Sequence, residues 1–176
     1  MELFDVIQKR CSYRGDFTSA PVPREDLQKI VQAGIQSPSA CNAQVASFVI
    51  VDDPKTLRQI ADILERPFCY TAKAMIVCIT DPRPVYQTMS FDVEDCSAAV
   101  ANMLLAVTAL GYSTVWLDGV LRAGGRAEQI GGLLGVPSQY TVRILLPIGM
   151  AAEPGQQRER LPFDQRAWFN HYGAKK

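Results

Sequence analysis

Between Asp92 and Gly111 the chain carries a run of small and apolar residues that gives a helix there almost no polar face. Ala98, Ala99, Val100, Ala101, Met103, Leu104, Leu105, Ala106, Val107, Ala109 and Leu110 occupy its whole circumference. A helix that is apolar all round has to be covered all round. A chain of 176 residues has few elements with which to wrap one central helix, and a second copy of the chain is the simplest cover. A homodimer is therefore expected. The stretch from Cys96 to Gly111 contains Asn102 and is shorter than the roughly 20 residues that span a bilayer, so no membrane partner is expected.

The remaining periodicities place other elements around that helix. Leu3, Phe4 and Ile7 share one face of a short helix ending near Lys9. Pro21 and Pro23 introduce a second helix with Glu25 and Asp26 in its first turn, where the helix dipole favours acids. Leu27, Ile30, Val31 and Ile35 line its buried face, and Pro38 stops it. Phe48–Val51 reads as a strand. Asp53 caps a third helix with Pro54 at its first position, and Leu57, Ile60, Ala61 and Leu64 follow at helical spacing. Ala74–Thr80, apolar on both faces, reads as a central strand. Gly111 closes the long helix. Thr114–Leu117 is a third strand, Arg126–Leu134 a helix ended by Gly135, and Thr141–Gly149 a fourth strand. Beyond Gly149 the composition turns to Pro, Gly, Gln and Arg, an extended tail. The order α-α-β-α-β-α-β-α-β predicts an α+β sandwich with a mixed sheet, although helices between most strands also allow a doubly wound sheet. Length and the absence of repeats predict one domain over residues 1–176.

Composition narrows the chemistry. Eighteen basic residues balance eighteen acidic ones, which disfavours nucleic acid as a partner. The five cysteines (Cys11, Cys41, Cys69, Cys78 and Cys96) are scattered, and His171 is the one histidine. No metal site is expected from that set. Free thiols and the lack of a leader-like N-terminus predict the cytoplasm. Neither a G-x-G-x-x-G nor a G-x-x-x-x-G-K-[ST] phosphate loop occurs, and His171, in a polar tail, is read as a surface residue rather than a triad base.

Four short constellations are candidates for a binding site. Arg10-Cys11-Ser12-Tyr13-Arg14 follows the first helix, and in an extended segment Arg10, Ser12 and Arg14 point the same way. Two guanidinium forks and a hydroxyl suit a phosphate or a planar anionic ring; a solvated basic loop is the plainer reading. Ser37-Pro38-Ser39-Ala40-Cys41-Asn42-Ala43-Gln44 offers amides that fit the imide edge of a heterocycle, or is simply a capped turn. Trp116-Leu117-Asp118-Gly119 lies at a strand exit, where ligands of α/β folds gather, or is a turn. Arg158-Glu159-Arg160-Leu161-Pro162 lies in the tail, as a charge run that is usually solvent-facing.

In their order these elements resemble the nitroreductase family of FMN flavoproteins: an R-x-S-x-R start, a P-S-x-x-N-x-Q turn, a helix like Asp95…Ala99…Asn102…Leu105-Ala106…Leu110-Gly111, a W-[IL]-x-G strand exit and an R-L-P tail. The resemblance runs from Phe4 to about Pro162. It implies an α+β fold, a sandwich with a mixed central sheet, and a C-terminal tail exchanged onto the partner subunit. It also implies FMN at the dimer interface, with NADH or NADPH as electron donor and a small-molecule acceptor such as a nitroaromatic or quinone. By resemblance Arg10, Ser12 and Arg160 hold the phosphate, helped by Arg158, with Cys11 in the same segment. Arg14 and Asn42 face the pyrimidine side, Leu117, Asp118 and Gly119 approach N5 through their backbone, and Pro38, Ser39, Ala40 and Gln44 complete the wall. Tyr70, Tyr86 and Phe91 are candidates to roof the ring. No catalytic side chain is implied, because the flavin carries the hydride and a fixed cation stabilises its reduced charge. A flavin-dependent dehalogenase or another reductive enzyme, or a flavin-binding sensor without turnover, is the alternative.

Overall fold

A computed structural model describes residues 2–174. In chain order the elements are α1 (Leu3–Lys9), α2 (Arg24–Ile35), β1 (Ala46–Val51), α3 (Pro54–Leu64), β2 (Ala74–Thr80), α4 (Asp92–Ala109), β3 (Ser113–Thr114), α5 (Arg126–Leu133) and β4 (Thr141–Gly149), with short 3₁₀ turns at Ala40–Asn42, Pro67–Tyr70 and Phe163–Gln165. The strands form one sheet in the order β1-β2-β4-β3. β2, buried at every residue, is a central strand as its sequence demands.

The helix ends follow from local chemistry. The Asp53 carboxylate accepts the Thr56 amide at 2.8 Å and caps α3, with Pro54 at its first position. At the end of α4, Gly111 has φ +85°, its amide donates to the Thr108 carbonyl at 3.1 Å, and the Tyr112 amide donates to the Val107 carbonyl at 3.0 Å. That is the pair of bonds that satisfies a helix C-terminus through a left-handed glycine.

Sheet residues alternate between two cores. Met75, Val77 and Ile79 of β2 pack with α3 and α5 on one face. Ala74, Ile76 and Cys78 pack with α2 and α4 on the other. The result is an α+β sandwich of three layers. Gly34 of α2 lies against Met103 of α4 so closely that a Cβ there would sit 2.9 Å from Met103 Cγ. Ile35, expected on the buried face of α2, is 54 % exposed, and Gly34 takes its place in the core.

The expected mixture of strand directions is corrected: every hydrogen-bonded pair among the described residues is antiparallel. Two connections explain it. After α3 the chain doubles back, with Tyr70 under the Arg58 guanidinium at 4.7 Å, so β2 starts at the end of the sheet where β1 finished. β2, α4 and β3 do form a parallel crossover, but β4 lies between the two strands and runs against both. A doubly wound sheet, which needs parallel neighbours, is excluded. The third strand is also shorter than expected: its ladder lapses after Thr114 and closes again at a single bridge, Leu117 with Leu145.

No helix among the described residues is long and apolar enough to cross a membrane. After β4 the tail bridges Phe17 through Ala151, crosses Tyr13, and then leaves Leu161, Phe163, Phe169 and Tyr172 between 63 % and 91 % exposed.

Candidate functional site

The segment from Arg10 to Arg14 is extended and pinned from inside. The Tyr13 amide donates to the Thr114 carbonyl at 2.9 Å, and the buried Tyr13 ring packs 5.4 Å from that of Phe17. With Tyr13 turned inward, Ser12 and Arg14 face outward, as alternation requires. The tail returns over this segment. Arg10 Nη2 donates to Gln157 Oε1 at 3.2 Å and Arg160 Nη2 donates to the same oxygen at 3.0 Å. Ser12, Arg14, Gln156, Gln157, Arg158 and Arg160 line one cavity of about 510 Å³. None of its lining residues is acidic, and none of Arg10, Arg14, Arg158 and Arg160 is in a salt bridge among the described residues. Guanidinium groups gathered without a carboxylate make a cradle for a dianionic phosphate. Cys11 is not among the residues lining it; its sulfur lies against Gly155, where a Cβ would come within 2.5 Å. Gln156 and Gln157 are marked by no motif, because a neutral amide beside two arginines carries no signal of its own.

The second group lies elsewhere. From Gly34 onward the chain runs antiparallel to α4, toward its N-terminus. Asn102 Nδ2 donates to Ser37 Oγ at 2.7 Å, Ser37 Oγ donates to the Ala98 carbonyl at 3.2 Å, and the Ala40 amide donates to Asp95 Oδ1 at 2.9 Å. Pro38, Ser39 and Gln44 line a cavity of about 170 Å³ together with Asp95 and Ala99. Cys41, Asn42 and Gln44 have φ of 51°, 53° and 50°, and the side chains of Asn42 and Gln44 stand on an exposed turn. Arg83 Nη2 donates to the Ala43 carbonyl at 3.1 Å and pairs with Asp81, tying the loop that bears Tyr86 to this turn. Tyr86 is 51 % exposed there and Phe91 precedes α4. Tyr70, packed under Arg58 on α3, belongs to a different part of the surface.

The third group sits on the β3 side of the sheet. Leu117 exchanges both backbone bonds with Leu145, at 3.0 and 2.9 Å, so its backbone is not free for a ligand. Asp118 holds Arg122 through both carboxylate oxygens, at 2.6 and 2.5 Å, which raises the guanidinium above its ordinary value through that hydrogen bond. The amides of Asp118 and Gly119 have no acceptor among the described residues, and Gly119 faces open space.

One copy of the chain thus keeps its arginine-lined cavity and its Pro38–Gln44 turn apart. The cradle segment is bonded to Thr114, just beyond the C-terminal end of α4, and the turn is bonded to Asp95, near the N-terminal end. Eighteen helical residues separate those ends by about 27 Å. The outer face of α4 is uncovered along Ala98, Ala101, Leu105 and Ala109, with Ala101 and Ala109 exposed. The expectation of a helix covered all round is not met by one chain.

The model described as the nitroreductase family matches residues 7–68 and 64–150. A protein of Archaeoglobus fulgidus assigned as an NADH dehydrogenase/NAD(P)H nitroreductase is 33% identical over 149 residues, 84% of this chain and 84% of its own length. An NADPH-flavin oxidoreductase of Vibrio harveyi is 27% identical over 170 residues, 89% of this chain and 69% of its own. Among solved structures, an FMN-dependent nitroreductase of Clostridium difficile superposes with a TM-score of 0.82 at 26% identity, covering 96% of this chain and 99% of that one.

Proposed function

The chain belongs to the nitroreductase family, and from that premise we propose that it is an FMN-dependent NAD(P)H oxidoreductase, one domain over residues 1–176, that works as a two-fold homodimer on a small acceptor such as a nitroaromatic or quinone. The observation that carries this reading is the cradle of Ser12, Arg14, Arg158 and Arg160, lined by no carboxylate. The Ser12 hydroxyl and the Arg158 and Arg160 guanidinium groups fit the phosphate of a flavin mononucleotide, and Arg14 on the same lining fits its anionic ring.

In this reading the phosphate is held by Arg10, Ser12, Arg158 and Arg160. Arg14, without a carboxylate partner among the described residues, places a permanent charge at the pyrimidine end. The free amides of Asp118 and Gly119 offer donors to the ring. When bound, the flavin supplies the two-electron chemistry, receiving hydride from NADH or NADPH and passing electrons to the acceptor. The chain contributes binding, orientation and electrostatics, and no acid–base residue is required of it.

The separation of the two binding groups supports the dimer. If two α4 helices pack antiparallel across a two-fold axis, the Pro38–Gln44 turn of one copy comes beside the phosphate cradle of the other. The same packing covers Ala101 and Leu105. Exchange of the tail beyond Arg160 onto the partner would likewise cover Leu161 and Phe163, which are 64 % and 63 % exposed on one chain.

The test is the visible spectrum of the purified protein before and after anaerobic NADH or NADPH, followed by addition of a nitroaromatic or a quinone. A yellow protein that bleaches with the reductant and recovers with the acceptor is expected. A protein that binds no FMN overturns the proposal, and one that binds FMN but resists both nicotinamides reduces it to a flavin carrier.

A further inference from the structure

We infer that Asp95 is a positioning residue: its buried carboxylate holds the Ala40 amide and so sets the left-handed turn that presents Asn42 and Gln44 to the flavin. The inference rests on the FMN reading above.

Asp95 is 6 % exposed, in the first turn of the most apolar helix of the chain. Its Oδ1 accepts the Ala40 amide at 2.9 Å, while Oδ2 is buried with no partner among the described residues. A half-satisfied buried carboxylate opposes folding. An apolar side chain would suit α4 better if packing were the only demand. What the carboxylate does make is one bond, to the residue that opens the Ala40–Asn42 turn.

That turn needs outside support. Cys41, Asn42 and Gln44 have φ of 51°, 53° and 50°, a left-handed region in which a side chain is strained against its own backbone. Local bonds close the turn on itself, from the Asn42 amide to the Ser39 carbonyl at 3.0 Å, from the Ala43 amide to the Ala40 carbonyl at 2.9 Å and from the Gln44 amide to Ser39 Oγ at 3.2 Å, and Arg83 reaches the Ala43 carbonyl from the exposed surface at 3.1 Å. The bond to Asp95 ties the turn to the helix beneath it. Ser37, held by Asn102 at 2.7 Å, fixes the preceding residues on the same helix. The amides of Asn42 and Gln44 therefore take their position from α4 through Ala40.

Two readouts test this, FMN affinity measured by quenching of FMN fluorescence, and hydrogen exchange of the amides from 40 to 44 in FMN-free protein. Asp95→Ala is expected to speed that exchange and weaken FMN, each about tenfold. Riboflavin should weaken by the same factor, because the phosphate cradle is untouched. Asp95→Asn, which still accepts from Ala40, should restore both to within about twofold. Wild-type exchange and affinity in Asp95→Ala overturn the inference, as does Asp95→Asn as damaged as Asp95→Ala, which would assign the effect to charge. If Asp95→Ala does not fold, Asp95→Glu, which displaces the carboxylate by one methylene, decides by the same readouts, and wild-type values there overturn it. A wild-type protein that binds no FMN removes the cofactor reading and this inference together. A wild-type protein that binds it, with Asp95→Ala binding equally well, removes this inference alone.

Discussion

Arg10 and Arg160, 150 residues apart in sequence, donate to the same oxygen, Gln157 Oε1, at 3.2 and 3.0 Å. A neutral amide orients both guanidinium groups without cancelling their charge. Had a carboxylate stood at position 157, it would cancel one of the two positive charges before any phosphate arrived.

Removal of either arginine is therefore expected to weaken FMN binding by about 1.5–3 kcal/mol, or roughly 10- to 100-fold. Gln157→Glu should weaken it as well. Riboflavin, which has no phosphate, should bind all three variants as it binds the wild type. Parallel titrations of FMN and riboflavin followed by fluorescence check this, and equal losses for the two ligands would remove the cradle from its role.

Arg14 lines the same cavity and has no acidic partner among the described residues. A fixed cation at the pyrimidine end favours the reduced, more negative ligand over the oxidised one. Arg14→Ala should lower the two-electron midpoint potential, by about 30 mV for each 1.4 kcal/mol of stabilisation lost. Spectroelectrochemical titration measures it, and an unchanged potential removes Arg14 from this role.

The uncovered stripe of α4 predicts its own experiment. Ala101 is exposed at the middle of that stripe, and a glutamate there would be desolvated on association at a cost of several kcal/mol. Ala101→Glu should be folded by circular dichroism, monomeric by light scattering at micromolar concentration, and deficient in FMN. A dimeric Ala101→Glu variant would place the interface elsewhere.

At the other end of α4, the Tyr112 hydroxyl donates to Asp26 Oδ2 at 2.9 Å and joins α4 to α2. The Asp26 carboxyl is held below its ordinary 3.8 by hydrogen bonds from Lys29 and then Tyr112. Burial, and then Asp26, push Tyr112 above its ordinary 10.0. A lowered carboxyl stabilises the fold above its unfolded value and loses that contribution as pH falls through the folded one. A raised phenol stabilises the fold below its unfolded value and loses that contribution as pH rises through the folded one. The link is thus complete between these limits. Tyr112→Phe should lower the urea midpoint at pH 7, and the difference should shrink in acid once Asp26 is protonated. Urea titrations across acid pH check it, and a difference independent of pH would assign the loss to packing alone.

Much of the fold was legible because its signals are local. An aspartate cap with proline at the first position, Asp53 and Pro54, fixes where α3 starts, and Gly111 with its left-handed φ fixes where α4 stops. A continuous apolar run delimits β2, every residue of which is buried as expected, and β4 is buried from Ile144 to Gly149. Arg10, Ser12 and Arg14 were legible as one face of an extended segment, since Tyr13 between them turns inward.

Strand direction was not legible. It depends on whether a connection doubles back, as the stretch through Tyr70 does, and on which strand enters between two others, as β4 does between β2 and β3. Neither leaves a mark in the local pattern. The same holds for Gln157, whose role exists only because the tail folds over Arg10, and for Asp95, whose carboxylate reads as an ordinary first-turn acid until Ala40 is seen above it. Local pattern alone located helices α1 to α5 and the strands β1, β2 and β4, and showed that α4 has too much apolar surface for a chain this size to cover. The tertiary structure decided that the cradle and the Pro38–Gln44 turn lie at opposite ends of α4. That separation follows from long-range packing of α2 and β3 against the helix, which no short-range propensity encodes.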